Sequence, residues 1–239
     1  MLERSYNRQP DQLRPVKFTC NYTKYAHGSV LAECGETKVI VTAFVESRVP
    51  RFLAETGSGW VTAEYSMLPG ATQERSQRER QLKISGRTME IQRLIGRSLR
   101  AAIDLNDLGE RTITIDCDVI QADGGTRTTC INGGFVAMMS ALTKLYENNF
   151  IPKIPVKEHV AAISAGIVKG EELLDLDYNE DSSADVDSNI VMTESGKIIE
   201  FQLTSEGEPI NDITMFSLLQ LGQKGIKEIV EIQKKTLFS

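Results

Sequence analysis

Apolar and polar residues alternate along much of the first third of the chain, at 16–22, 29–34, 38–45 and 60–66, with turn residues such as Gly28 and Gly35 between the runs. This pattern predicts short strands joined by hairpins. Between residues 88 and 103 the period changes. Ile91, Leu94, Ile95, Leu99 and Ala102 recur at helical spacing, which predicts a helix with one face turned inward. Arg93, Arg97 and Arg100 form a separate stripe at i, i+4 and i+7. Residues 111–121 alternate again, with Ile113, Ile115, Cys117 and Val119 on one face and Thr112, Thr114, Asp116 and Asp118 on the other. A half-buried strand is expected there.

After Gly124-Gly125-Thr126-Arg127-Thr128 an apolar helical pattern runs to about Tyr146. Strands are predicted at 160–168, 189–192 and 197–204, an acidic stretch occupies 171–187, and an amphipathic helix closes the chain over about 212–235. Residues 51–59 and 68–81 lack periodicity and are rich in Gly, Ser, Thr and Gln. They predict exposed, mobile loops, the second of them basic. Strands interleaved with helices, and no low-complexity linker, indicate an α/β protein with residues 1–239 in a single domain.

Composition adds little to that picture: 41% hydrophobic and 25% charged residues are average for a globular chain. No apolar run approaches the roughly 18–20 residues needed to span a bilayer, and residues 1–15 are polar, without a signal peptide's apolar stretch. The expectation is a cytoplasmic protein with no membrane partner. Cys20, Cys34, Cys117 and Cys130 are scattered without a C-x-x-C pair, which predicts small core residues rather than a zinc site or a disulfide scaffold.

Charge matters more than its total. The net value is −6, but residues 71–100 carry +5 and the rest −11. The basic segment holds Arg75, Arg78, Arg80, Lys83, Arg87, Arg93, Arg97 and Arg100. Such a concentration suits a phosphate backbone, with contacts that supply sequence-independent affinity; a solubilising face or a subunit contact explains it as well.

Three further features have candidate chemistry. The turn at 124–128 joins a strand to a helix start, where backbone N–H groups and the positive end of the helix dipole converge, and Thr126 and Arg127 add donors. It reads as an anion cradle or as a purely structural turn, and it is neither a Walker A motif nor a G-x-G-x-x-G fingerprint. Arg87, in Ser85-Gly86-Arg87-Thr88, opens the other helix and would serve the same anion if the two helix starts are neighbours. Residues 171–187 hold eight carboxylates and no Lys or Arg, a composition that suits Mg²⁺ or a solvated acidic loop. Asp181 and Asp187 are the pair most readily brought together. His27 and His159 are isolated and are assigned no catalytic role.

Several runs resemble the bacterial ribonuclease PH family: Asn21-Tyr22-Thr23-Lys24, Trp60-Val61-Thr62-Ala63-Glu64-Tyr65, Gly86-Arg87-Thr88-Met89-Glu90, Asp116-Cys117-Asp118-Val119-Ile120-Gln121-Ala122-Asp123-Gly124-Gly125-Thr126-Arg127 and Tyr178-Asn179-Glu180-Asp181. They follow one another in order over nearly the whole chain. The resemblance implies the ribonuclease PH fold, mixed β-sheets packed with α-helices. It implies phosphorolysis of RNA 3′ ends, chiefly of precursor tRNA, with inorganic phosphate as co-substrate and Mg²⁺ as cofactor. By the same resemblance Arg87, Gly125, Thr126 and Arg127 hold the phosphate, while Asp181 and Asp187 are catalytic and metal-binding. Arg75 and Arg78 match loop arginines that help to hold tRNA. Arg93 and Arg97, from the helical stripe, are added as RNA-binding candidates. A homohexamer, a trimer of dimers, is expected.

Two departures stand out. Gly70 follows Met67-Leu68-Pro69 where many relatives carry Arg, and Thr129-Cys130-Ile131-Asn132-Gly133-Gly134 replaces the usual Ala-Ser-Ile-Thr-Gly-Ala. The first removes a cation from the tRNA-facing loop or the ring contact, and the second is a set of small-for-small changes. Asp116 and Asp118 are secondary candidates for the acid chemistry. The alternatives are a non-catalytic RNA-binding ring subunit of exosome type and a nucleotide-phosphate enzyme such as a kinase; the absence of a Walker lysine or a kinase signature counts against the latter.

Overall fold

The computed structural model describes residues 3–79 and 84–238. Of the basic segment singled out above, Arg80 and Lys83 lie outside the described residues, as does the end of the 68–81 loop.

Two sheets frame the molecule. The first has the order β1-β2-β3-β5-β4, formed by β1 (Val16–Cys20), β2 (Gly28–Cys34), β3 (Thr37–Glu46), β4 (Trp60–Met67) and β5 (Thr112–Gln121). β4 pairs parallel to β5 and the other pairings are antiparallel. The parallel pair requires a crossover, which α1 (Gly86–Ala102) and the one-turn α2 (Leu105–Leu108) provide. The second sheet has the order β7-β6-β8-β9 and is antiparallel throughout. Its strands are β6 (Val160–Val168), β7 (Glu171–Leu174), β8 (Val186–Thr193) and β9 (Ile198–Ser205), with the short α4 (Tyr178–Asp181) between β7 and β8.

α3 (Thr126–Glu147) lies against β2 and β3 of one sheet and β6 of the other, and α5 (Asp212–Leu237) packs on β6 and β1. A helix between two sheets is apolar nearly all round. Cys130, Ile131, Phe135, Val136, Met138 and Leu142 are accordingly all fully buried. Gly133 allows close approach: a Cβ there would stand 2.7 Å from the Cβ of Ala32. One continuous cluster of buried side chains runs through both sheets and α1, α3 and α5. Truncation of Phe135 to alanine at its centre costs about 3–5 kcal/mol on the usual scale for buried aromatics.

The helical face read from α1 is the one that packs: Ile91, Leu94, Ile95, Leu99 and Ala102 are buried. Ser85 caps this helix, its side chain accepting from the Thr88 N–H at 3.1 Å. Cys34, Cys117 and Cys130 are core residues and Cys20 is half-buried.

Three expectations change. The first strand stops at Cys20, because Asn21 turns into the left-handed region with φ 55. The 68–79 segment is anchored in part, since Ala71 is buried and its carbonyl accepts from the Ala122 N–H at 2.8 Å. The acidic stretch is not a solvated loop. It contains β7 and α4, and Asp175, Asp177 and Glu180 are buried. Their partners are arginines from the N-terminus: Arg4 and Arg8 reach Glu180 at 2.6 and 3.2 Å, and Arg14 reaches Asp175 at 2.7 Å. Asp177 and Glu180 also form the capping box that starts α4.

Candidate active site

An open cleft of about 700 Å³ lies where the two sheets meet at the start of α3. Its walls hold Arg87, Gly125, Thr126, Arg127, Asp181 and Asp187 together. The two helix starts that sequence left unrelated are therefore neighbours, and the acidic pair faces both.

The turn owes its shape to two glycines. Gly124 and Gly125 have φ 73 and 65, a left-handed conformation that glycine adopts without steric cost. A Cβ on Gly124 would stand 2.6 Å from the backbone of Leu176 and Asp177. The chain before α4 thus lies directly against the turn. Gly125 is the N-cap of α3, and no side chain caps that end. The first N–H groups of a helix have no intrahelical partner and attract anions, and here the helix start borders the cleft. Thr126 Oγ1 lies 3.2 Å from the Tyr65 hydroxyl, whose pKa burial pushes up to about 12. Tyr65 therefore stays protonated and holds the threonine side chain.

Arg127 is mostly buried, with 18% of its side chain exposed; Nη1 donates to Gln202 Oε1 at 3.2 Å and lies 4.0 Å from Glu90. Arg87, in the first turn of α1, is exposed to the cleft.

Asp181 ends α4 and Asp187 lies in β8, between Gly166 of β6 and Thr204 of β9. Burial against the cleft wall raises the Asp181 carboxyl, and the Asp187 charge raises it further, while Arg127 and Arg87 act in the opposite sense. Asp187 is also raised by burial, with Arg127 opposing and Glu206 reinforcing. A carboxyl raised by a neighbouring carboxylate, as Asp181 is by Asp187, suits a divalent cation or a shared proton. Among the described residues no group of three or more His, Cys, Asp and Glu side chains converges on a metal-sized site. Mg²⁺ is compatible with the pair, because it keeps several waters and takes one or two carboxylates plus substrate phosphates.

The remaining candidates lie outside the cleft. Arg75 and Arg78 are exposed on the loop whose Thr72, Gln73 and Glu74 form part of the wall. Arg93 is exposed on α1, and Arg97 is ion-paired to Glu200 of β9. Arg100, third in the stripe, donates to the Val61 carbonyl at 2.7 Å and covers the Trp60 ring at 4.3 Å, so it belongs to the packing of α1. Asp116 and Asp118 are raised by burial, Asp116 also by Glu64 and Asp118 opposed by Arg78. Neither lines the cleft. Gly70 has open space at its Cβ position, so the backbone there leaves room for a side chain to start. His27 accepts from the Val45 N–H at 3.2 Å and His159 packs on Phe135.

Sequence reasoning missed Ser164, Tyr178, Asn189 and Glu206 in the wall. Ser164 sits in an apolar run and carries no signal; Tyr178 opens the quoted run Tyr178-Asn179-Glu180-Asp181 but was given no role. Arg14, read only as part of a polar N-terminus, supports the turn from behind.

Known proteins complete the picture. The model of the 3′ exoribonuclease family, domain 1, matches residues 12–143, and that of domain 2 matches residues 159–225. Ribonuclease PH of Crocosphaera subtropica is 57% identical over 235 residues, with 98% of each chain covered. Ribonuclease PH of Acaryochloris marina is 54% identical over 237 residues, with 99% of each covered. In fold, rice (Oryza sativa) Rrp46 superposes with a TM-score of 0.79 at 21% identity, over 98% of this chain and 100% of that one. An Archaeoglobus fulgidus exosome chain, from a complex with RNA bound to the active site, gives 0.77 at 19% identity, over 95% and 91%. The cleft, the turn and the extent of these matches together place the chain in the 3′ exoribonuclease family, among its ribonuclease PH members.

Proposed function

We propose that the cleft between α3 and the second sheet is where this chain, a phosphate-dependent 3′-to-5′ exoribonuclease, trims extra nucleotides from precursor tRNA and other structured RNA. The observation that carries the reading is the uncapped, glycine-started end of α3 facing Asp181 and Asp187 across one cleft, with Arg87 and Arg127 at its side.

In this reading Gly125, Thr126, Arg127 and Arg87 bind inorganic phosphate through backbone N–H, hydroxyl and guanidinium donors. An oxygen of that phosphate attacks the phosphorus of the last phosphodiester; the new P–O bond forms as the bond to the 3′ oxygen of the preceding nucleotide breaks. A nucleoside 5′-diphosphate leaves, and the 3′ oxygen takes a proton. Asp181 and Asp187 are the acid candidates, since their raised carboxyl groups hold a proton to higher pH than ordinary aspartates do. The two cations offset charge on the equatorial oxygens as the reaction proceeds. Mg²⁺, held by the same aspartates, would supply Lewis-acid stabilisation of the reacting phosphoryl group. Because the phosphodiester bond that breaks is replaced by the phosphoanhydride bond of the diphosphate, the bond energy is largely retained, the reaction is reversible and the same site adds nucleotides from diphosphates.

Arg75, Arg78, Arg93 and Arg97 would contact the RNA backbone, Arg97 after release from Glu200. A single-domain protomer in a homohexamer, a trimer of dimers, in the cytoplasm completes the proposal. The non-catalytic ring-subunit reading requires loss of site residues, and Arg87, Arg127, Asp181 and Asp187 are all present in the cleft.

The test is incubation with a tRNA carrying a few extra 3′ nucleotides, with Mg²⁺, with and without inorganic phosphate. Diphosphates released only with phosphate are expected. Monophosphates released regardless of phosphate would mean hydrolysis, and no release would favour the non-catalytic subunit.

A further inference from the structure

The turn at Gly124 and Gly125 is backed by a charged group that does not face the cleft. Arg14 precedes β1, with its side chain 0% exposed and that of its partner Asp175 1% exposed. Nε and Nη2 donate to the two carboxylate oxygens of Asp175 at 3.1 and 2.7 Å, and the Arg14 backbone N–H donates to Oδ2 at 2.7 Å. Burial pushes the Asp175 carboxyl up, but the charge and hydrogen bonds of Arg14, with Arg8, hold it below the usual aspartate range. The carboxylate therefore fixes the plane of the guanidinium. Its remaining arm, Nη1, donates to the carbonyl oxygen of Asp123 at 2.5 Å. Thr37 braces the next peptide, its hydroxyl donating to the Gly124 carbonyl at 2.6 Å and accepting from the Asp123 N–H at 2.9 Å. Arg14 lies close enough that a Cβ on Gly125 would stand 3.0 Å from Nη2.

In a trans peptide the C=O and the following N–H point in opposite directions, and among the described residues there are no cis peptides. The bond that draws the Asp123 carbonyl toward Arg14 turns the Gly124 N–H the other way. The Thr37 bond does the same for Gly125. Both glycines line the cleft, and Arg14 and Thr37 do not.

We propose that Arg14 is a positioning residue for phosphorolysis: oriented by Asp175, it holds the Asp123 carbonyl so that the turn presents its backbone N–H groups to the attacking phosphate. The proposal rests on the reading of that turn as the phosphate site. Lysine does not replace arginine in the role, because one ammonium has no planar fork to span both Asp175 oxygens and the Asp123 carbonyl at once.

The test compares Arg14→Lys with the paired variant Arg14→Gln/Asp175→Asn, which removes both buried charges together and so avoids an uncompensated ion. In each, the KM for phosphate is expected to rise roughly 10-fold while the KM for RNA changes less than about twofold, the scale typical of residues that orient a binding group. A merely structural role would lower stability without separating the two constants. A folded variant of either kind with an unchanged phosphate KM overturns the proposal. Should neither fold, the wild-type protein carries the test: adding inorganic phosphate should slow amide exchange at Gly124 and Gly125, and unchanged exchange overturns it. Failure of the underlying reading looks different, since Arg127→Ala would then also leave the phosphate KM unchanged.

Discussion

The guanidinium of Arg127 lies 4.0 Å from the carboxylate of Glu90, and Gln202 bridges the two, accepting from Arg127 at 3.2 Å and donating to Glu90 at 3.2 Å. The cation proposed to bind phosphate is thus partly neutralised from α1. The Glu90 side chain is 55% exposed, and such rim pairs contribute about 0.2–1 kcal/mol. Glu90→Gln should lower the phosphate KM by roughly 1.5- to 5-fold. Initial rates against phosphate concentration measure this, and a higher KM would mean that Glu90 holds Arg127 in its productive position.

Arg127→Ala should leave the fold intact, because the side chain reaches from the surface of α3 into the cleft rather than into the core. Loss of charge-assisted hydrogen bonds worth about 1.5–3 kcal/mol raises the phosphate requirement by roughly 10- to 150-fold. Normal phosphate dependence in a folded variant would remove Arg127 from the phosphate site.

Asp187→Asn should abolish turnover while RNA binding, followed by fluorescence anisotropy, stays within about twofold, since the arginines proposed to contact the RNA backbone are unchanged. Millimolar Mg²⁺ should raise the melting temperature of the wild-type protein and not that of the variant. Full activity of the variant would move the acid chemistry to Asp116 or Asp118.

Asp181 gives a pH signature. Its folded-state pKa is raised, so the folded form binds a proton that the unfolded form has released. Its contribution is therefore most favourable below the unfolded value and is lost as pH rises through the folded one. Asp181→Asn removes that loss. The variant should gain about 1–2 °C in melting temperature at pH 7 and nothing at pH 3.5, a difference typical of a partly solvated carboxylate. An equal gain at both pH values would separate the effect from ionisation.

Much of the fold was legible because it rests on local periodicity. Ile91, Leu94, Ile95 and Leu99 face the core where their spacing placed them, and the alternation of 112–121 is that of a half-buried strand. Arg87 and Arg127 stood out as helix-start cations, but nothing local placed the two helix starts beside each other; the parallel β4–β5 pairing and the burial of α3 do that. The acidic stretch was misread in part because a run of carboxylates carries no information about distant partners. Asp175 and Glu180 are buried only because arginines more than 160 positions earlier reach them.

That separation has a bearing on how the molecule is made. The contacts Arg4–Glu180 and Arg14–Asp175 join residues 176 and 161 positions apart, and contacts so distant in sequence close late because a long loop must be ordered first. A growing chain that has reached residue 143, the end of the first family segment, contains the whole turn at Gly124 and Gly125 but not the carboxylate that pairs with Arg14 behind it. Synthesis must pass Asp175 before the turn is locked and Asp187 before both aspartates exist. If the cleft is the active site, as proposed, the growing chain carries only half of it until the second sheet forms.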